Sequence, residues 1–255
     1  FHEKRTGIFL TREFLPDITG LESKPKANVG EVKSQGFDGN FALKQKLGEV
    51  DMTIRGNITY SKNEVLEKDE ENQVYSYLYQ KGYRVDQVKG LIAEGLFADY
   101  DDIRTSPKQE FGTVQPGDIK YKDVNNDGVI NSNDMIPMGY STAWPEIYYG
   151  FNVGLEWRGI GFNAYFQGVS NYTALLNSSI YRPLINNTSI SQYAYDNRWT
   201  PENPSARFPR LTTEAVENNT QTSSVWLQDR SFLKLRNCEV YYNLPSSWLD
   251  KICLL

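Results

Sequence analysis

Apolar and polar residues alternate along this chain in segments of about ten residues, the period-2 pattern of strands whose two faces meet different surroundings. Over 37–47, Phe37, Phe41, Leu43 and Leu47 share one face, and Asp38, Asn40, Lys44 and Lys46 share the other. Over 50–60, Val50, Met52, Ile54, Ile58 and Tyr60 oppose Asp51, Thr53, Arg55, Asn57 and Thr59. Only Gly48-Glu49 separates the two runs, which is hairpin spacing. A second hairpin repeats the design around Arg158-Gly159. Ile147, Tyr149, Phe151, Val153, Leu155 and Trp157 fall on one face of its first strand, and Phe162, Ala164 and Phe166 on one face of its second. A last strand, about 229–244, is apolar at Leu233 and Leu235 and then at Cys238, Val240, Tyr242 and Leu244. That change of phase near Asn237 predicts a β-bulge.

Strand length carries the next step. Eleven residues at about 3.3 Å rise, tilted by about 40°, cover roughly 27 Å of height, the thickness of an outer-membrane apolar band. Strands of soluble sandwiches average about five or six residues. The tight turns alternate with long connections, about 61–145 and 170–228, as short turns and long outer loops alternate in membrane barrels. Periodicity by itself leaves one other reading, a soluble sandwich whose apolar faces meet in a core.

Composition narrows the function classes. Aromatics reach 13%, with 17 Tyr, 12 Phe and 5 Trp, and the hydrophobic share is 39%, a mixture that favours strands and interfacial surfaces over helical cores. The net charge of -5 and the pI near 5.1 argue against a nucleic-acid partner, which needs a positive footprint. No run approaches 18 apolar residues and Phe1–Leu10 shows no signal-peptide pattern, so no transmembrane helix is expected; strands that expose only alternate residues to lipid escape such a test. Cys238 and Cys253 form neither a CxxC nor a disulfide framework. Cys238 reads as a small apolar strand residue.

Several segments, in order along the chain, carry a resemblance. They are Asn28-Val29-Gly30-Glu31-Val32 with Gly36-Phe37-Asp38, then Gly95-Leu96-Phe97, then the long stretch Pro116-Gly117-Asp118-Ile119-Lys120-Tyr121-Lys122-Asp123-Val124-Asn125-Asn126-Asp127-Gly128-Val129-Ile130-Asn131. Tyr149-Gly150-Phe151-Asn152-Val153-Gly154-Leu155, Phe166-Gln167-Gly168 and Ser231-Phe232-Leu233-Lys234-Leu235-Arg236-Asn237 follow. Together they resemble the C-terminal barrel portion of SusC/RagA-type TonB-dependent outer-membrane transporters. The resemblance implies an all-β fold: residues 1–255 as an antiparallel transmembrane β-barrel segment with long extracellular loops, part of a 22-stranded barrel. It implies TonB-dependent import of nutrients across the outer membrane of a Gram-negative, Bacteroidetes-type cell. Oligosaccharides head the expected substrates and peptides follow. The implied partners are a SusD-like surface lipoprotein, TonB acting through an N-terminal part, and outer-membrane lipid. The five strands read here cannot close such a barrel, and neither a plug nor a TonB box appears, so the chain is expected to be a fragment or one piece of a split transporter.

Within the long stretch, Asp123, Asn125, Asp127, Gly128, Val129, Asn131 and Asp134 fall at positions 1, 3, 5, 6, 7, 9 and 12 of an EF-hand-type loop. Oxygen side chains at 1, 3 and 5, a turning glycine, a carbonyl at 7 and a closing carboxylate form a coherent Ca2+ ligand set. The proposed ligands are Asp123, Asn125, Asp127, Val129, Asn131 and Asp134. Asp in place of Glu at the last position shortens the closing arm. The other reading is an Asx-rich turn whose side chains cap backbone amides.

Aromatics crowd the two long connections: Tyr75, Tyr77, Tyr79, Tyr83, Phe97 and Tyr100 in one, and Tyr172, Tyr181, Tyr193, Tyr195 and Trp199 in the other. Their faces suit sugar rings, but for any single residue packing of loop on loop or against the lipoprotein cap is the favoured reading. Trp157 and Trp226 are assigned to interfacial belts. No catalytic constellation is present: His2 is the sole histidine, neither GxSxG nor a phosphate-binding glycine loop occurs, and nothing fixes the separation of carboxylates such as Glu110 and Asp118. The chain is read as a non-enzyme. The reading from a different class is a soluble, calcium-stiffened β-sandwich that binds glycans.

Overall fold

The computed structural model describes residues 1–14, 20, 22–176, 181, 184 and 188–244. Cys253 and the Leu254-Leu255 end lie outside the described residues. Six long strands form one sheet. They are β1 (His2–Thr11), β2 (Lys26–Leu47), β3 (Val50–Glu67), β4 (Ile147–Trp157), β5 (Ile160–Ser170) and β6 (Phe232–Tyr242). Each pairs antiparallel with the next in chain order, a meander from β1 to β6. Both two-residue turns therefore lie at one end of the sheet and all three long connections at the other.

The predicted hairpins form in the expected register, with Leu47 opposite Val50 and Trp157 opposite Ile160. Arg158 and Gly159 both take positive φ, 48° and 84°, which a type I′ turn requires and which matches the right-handed twist of the strands. Glu49 ties the two turns together, accepting from Arg158 Nε and Nη2 at 2.9 Å and from Trp157 Nε1 at 3.2 Å. The Arg158 guanidinium holds the Glu49 carboxyl below its ordinary range.

Because directly opposed residues of antiparallel strands share a face, the register spreads each alternation across the sheet. One row reads Leu43, Ile54, Val153, Ala164 and Cys238. The adjacent row on the other face reads Ala42, Arg55, Asn152, Tyr165 and Asn237. The predicted bulge occurs: Tyr165 opposes Asn237 while Phe166 opposes Leu235, leaving Arg236 as the extra residue. It returns Cys238, Val240 and Tyr242 to the face of Leu233 and Leu235. On that face the Phe151 and Phe166 rings stack at 4.8 Å. Gly168 has no room for a side chain, since a Cβ would meet the Tyr149 ring at 2.3 Å.

The strands extend further than the alternation predicted. β1 is an additional strand, and β2 and β3 begin and end well beyond the apolar rows, so the connection expected from residue 61 begins at 68. These added lengths mix polar runs such as His2-Glu3-Lys4-Arg5-Thr6 with apolar runs such as Ile8-Phe9-Leu10, which removes the period-2 signal. They are held by ladder hydrogen bonds and by ion pairs such as Lys33–Glu64 at 2.9 Å.

The long connections are folded. Segments 93–96 and 119–121 pair, as do 89–90 with 136–137, 108–109 with 129–130, and 173–175 with 227–229. Leu91, Ile119, Tyr121, Ile130, Phe208 and Trp226 form their common core, drawn from both connections. Trp226 is 1% exposed there, which corrects its assignment to an interfacial belt: its ring stacks toward Phe208 and its Nε1 donates to the Asn219 carbonyl at 3.0 Å. A belt tryptophan presents its ring to lipid headgroups, and this one is enclosed by loop residues. Trp157 stands 45% exposed beside the Arg158 turn.

Candidate functional site

The two faces of the sheet define the candidate site. At mid-height the apolar face is bare: Phe41, Leu43, Leu235 and Val240 are 57%, 49%, 53% and 71% exposed. A soluble sandwich would cover such a face with a second sheet. Among the described residues no sheet lies over it; the other sheets are two-stranded and belong to the loop module. The loop module instead reaches toward the polar-face rows. Val65, opposite Val32 on that side, is 5% exposed, and its N–H donates to the Tyr83 carbonyl at 2.8 Å. The polar face, with Arg55, Asn57, Asn152, Asn163 and Tyr165 around a shallow hollow, is thus the inner one.

Two of the sequence segments that carried the resemblance, 95–97 and 116–131, meet in the loop module. The Phe97 N–H donates to the Asp118 carbonyl at 2.9 Å and the Gly117 N–H to the Phe97 carbonyl at 2.7 Å. Gly117 has φ 87°, and a Cβ there would enter the Trp199 ring, so only glycine fits. Asp118 is fully buried and charge-paired with Arg210, whose Nε donates to it at 2.8 Å. It also accepts from Asn219 Nδ2 at 2.9 Å and from the Gln115 N–H at 2.8 Å. Its oxygens are spent on structure, and Glu110 is exposed. Asn218 and Asn219 clamp the second connection onto the first: Asn218 Nδ2 donates to the Ile119 carbonyl at 2.8 Å and the Ile119 N–H donates to Asn219 Oδ1 at 2.9 Å. Sequence reasoning passed over these two asparagines, which lie in a polar run without periodicity.

The acidic turn forms a closed set of hydrogen bonds. Asp123 accepts from the N–H groups of Asn126 at 2.6 Å and Gly128 at 2.8 Å. Asn125 accepts from the Asp127 N–H at 2.9 Å, and Asp127 accepts from the Val129 N–H at 2.8 Å. Asn131 and Asp134 form a capping box on a short 3₁₀ turn, with buried Asp134 accepting from Val124 and Asn131 N–H groups, each at 2.9 Å. Among the described residues no three His, Cys, Asp or Glu side chains converge to hold an ion. The closing carboxylate at position 12 is turned to the backbone. The oxygens of Asp123, Asn125 and Asp127 each accept within the turn, and an oxygen used once by an amide keeps a second lone pair. Their hard oxygen donors are the type calcium takes. The Tyr77 hydroxyl anchors the turn by donating to the Asn133 carbonyl at 2.8 Å; burial foremost, and then the charge of Asp134, pushes this phenol up.

Most loop aromatics pack. Phe97 is 1% exposed, Tyr75 and Tyr77 stack at 5.4 Å, and Tyr181 and Tyr193 lie against Phe208. Tyr100, Tyr193 and Tyr195 are exposed at 67%, 53% and 46%. Tyr195 carries the Arg198 guanidinium over its face at 3.6 Å. Trp144, absent from the sequence-based candidates, is 73% exposed.

A meander of spanning-length strands, apolar outside and polar inside, with its long connections folded at one end, defines a segment of a transmembrane β-barrel wall. The barrel is not closed by these six strands. The comparisons agree on the kind of barrel. No family model matches the chain. "TonB-dependent receptor P26" of Formosa agariphila is 26% identical over 259 residues, covering 96% of this chain and 25% of that protein. "TonB-dependent receptor P3" of the same organism is 24% identical, covering 93% and 24%. The chain thus spans about a quarter of the length of the curated relatives it matches. A solved structure of the RagAB peptide transporter superposes with TM-score 0.61 at 19% identity, over 96% of this chain and 26% of that one. The same importer in its "open-open" state gives 0.62 at 17% identity. Six strands of a barrel of about 22 are likewise about a quarter. The chain is similar to TonB-dependent receptors in sequence, and its fold is that of their transporter barrels.

Proposed function

We propose that this chain forms part of the barrel wall of a TonB-dependent outer-membrane importer of nutrients, with oligosaccharides as substrates and a SusD-like lipoprotein as the outer partner. The bare apolar face carries the reading. Its rows extend unbroken across the sheet, and burial in lipid is the state that removes them from water without a second protein layer. The polar rows then line the lumen, and the loop module stands at the mouth where substrate enters. RagAB, the structural neighbour, is a peptide transporter, so peptides are the competing substrate class. The relatives and neighbours named above are receptors or transporters, which supports a role in uptake.

Calcium is part of the proposal in a reduced form. Asp123, Asn125, Asp127 and the Val129 carbonyl are the proposed donors, with Asn131 and Asp134 acting as caps that shape the turn. The ion would neutralise two carboxylates and stiffen the turn.

Deleting the encoding gene tests the import reading. Uptake of fluorescently labelled oligosaccharides and of labelled peptides is followed in cells with and without an intact TonB system. The expected result is TonB-dependent oligosaccharide uptake that disappears on deletion. Loss of peptide uptake alone would overturn the substrate class, and unchanged uptake of both would overturn import.

A further inference from the structure

Trp144 has the exposure and the support expected of a binding group. Its indole is 73% exposed, yet the chain that presents it is fixed. The N–H groups of Trp144 and Ala143 donate to Ser141 Oγ at 3.0 and 3.2 Å. Ser141 Oγ donates in turn to Asp86. Pro145 follows, and the Glu146 carbonyl accepts from the Ser61 N–H at 2.9 Å, which ties the turn to β3. Packing therefore holds the backbone while the ring stands free.

The ring stands on the inner side. Two adjoining hollows share Trp144 and Asn63; one includes Ser34 and Val32, the other Ser61 and Tyr148. By register, Ser34 opposes Asn63 and Tyr148 opposes Thr59, all on the polar rows that line the lumen. Trp144 thus projects over the lumen wall near its outer lip.

The charges around it are paired except that of Asp86, whose partners are neutral donors. Arg84 pairs with Glu146, which also accepts from Asn171 Nδ2 at 3.0 Å. Glu3 pairs with Arg5 at 2.6 Å, and Asp86 is held by Ser141 and the Ala143 N–H. What remains is a flat apolar ring beside hydroxyl and amide groups of Ser34, Ser61 and Asn63. Among the residues lining the hollows a peptide carboxylate finds no unpaired cation, and an ammonium meets only Asp86, whose Oδ2 is held by Ser141 and the Ala143 N–H. A pyranose offers an apolar C–H face for the indole and hydroxyls for the rim, without a net charge to desolvate.

We propose that Trp144 is a stacking platform for one sugar ring of a neutral oligosaccharide as it enters the lumen. The proposal rests on the import reading and adds the contact residue to it. The test uses the full-length protein in detergent, titrated calorimetrically with maltohexaose, cellohexaose, laminarihexaose and xylohexaose, with a mixed pentapeptide library as comparator. We expect at least one hexasaccharide to bind, Trp144→Ala to weaken it by about tenfold or more, and Trp144→Phe to stay within about threefold, the range that loss or retention of one stacked ring produces. An alanine variant that binds as wild type does, binding of no hexasaccharide, or peptide binding alone that depends on Trp144 would each overturn it. TonB-dependent uptake by cells expressing Trp144→Ala separates the two readings: uptake that persists alongside unweakened binding removes the platform and leaves import standing.

Discussion

Placing arginine on each face of β4 measures which side meets lipid. Val153 lies near the middle of the 11-residue strand, and its row neighbours are Leu43, Ile54, Ala164 and Cys238. An arginine there has no acidic or polar partner in the row and must reach past apolar side chains to find water. At the midplane of a barrel's lipid face this costs about 2–4 kcal/mol, or about 30- to 900-fold in the folding equilibrium. Asn152, one residue earlier, lies between Arg55 and Tyr165 on the inner face. Arginine at that position meets a like charge directly across the strand pair, a cost of up to about 1 kcal/mol, and remains hydrated. Val153→Arg should therefore destabilise by at least about 1 kcal/mol more than Asn152→Arg. The assay is urea titration of the full-length protein folded into lipid vesicles, read by its heat-modifiable mobility on gels. Equal midpoint shifts for the two variants, or a larger shift for Asn152→Arg, would refute the assignment of faces.

Three further outcomes follow from the loop module. Cleavage by protease between residues 100 and 145 should be slower in calcium than in chelator, and Asp127→Ala should abolish the difference; equal rates for wild type would leave the Asx turn as the sole organiser. Asp118→Ala strands Arg210 and the Asn219 amide inside the module, and breaking such a buried pair costs about 3 kcal/mol or more, so deuterium exchange should rise in both 115–121 and 206–220, where a merely surface role for Asp118 would leave it unchanged. Asp102 is held below its ordinary value chiefly by the hydrogen bond from Lys120 Nζ at 2.8 Å. A carboxylate lowered on folding contributes stability above its unfolded pKa of about 3.9 and loses it as pH falls through the lower folded value, so protection of the Ile103 and Ser106 amides, relative to their intrinsic exchange at each pH, should stay constant from neutral pH to about 4 and then fall, and Lys120→Met should remove that step.

What the residues determined by themselves is the membrane-spanning sheet. A strand with unlike surroundings on its two faces must alternate, so Phe151, Val153 and Leu155 on one side and Asn152 and Glu156 on the other were legible before any coordinates. So was the bulge, because Leu235 and Cys238 can share a face only if one residue is extra. Above the apolar band the alternation gives way to mixed runs such as His2-Glu3-Lys4-Arg5-Thr6 and Ile8-Phe9-Leu10. There β1 and the outer lengths of β2 and β3 left no periodic trace, and only the pairing of distant backbone amides reveals them. The loop module was hidden for a related reason: its ladders are two to four residues long, shorter than a readable period, and its core joins residues as far apart as Leu91 and Trp226. Tertiary structure alone decided that Trp226 is buried while Trp144 is open, that Asp118 is neutralised by Arg210, and that Asp134 caps the backbone. Residue type fixes what a side chain can bond to, but which partner it meets depends on chain segments a hundred residues away arriving beside it.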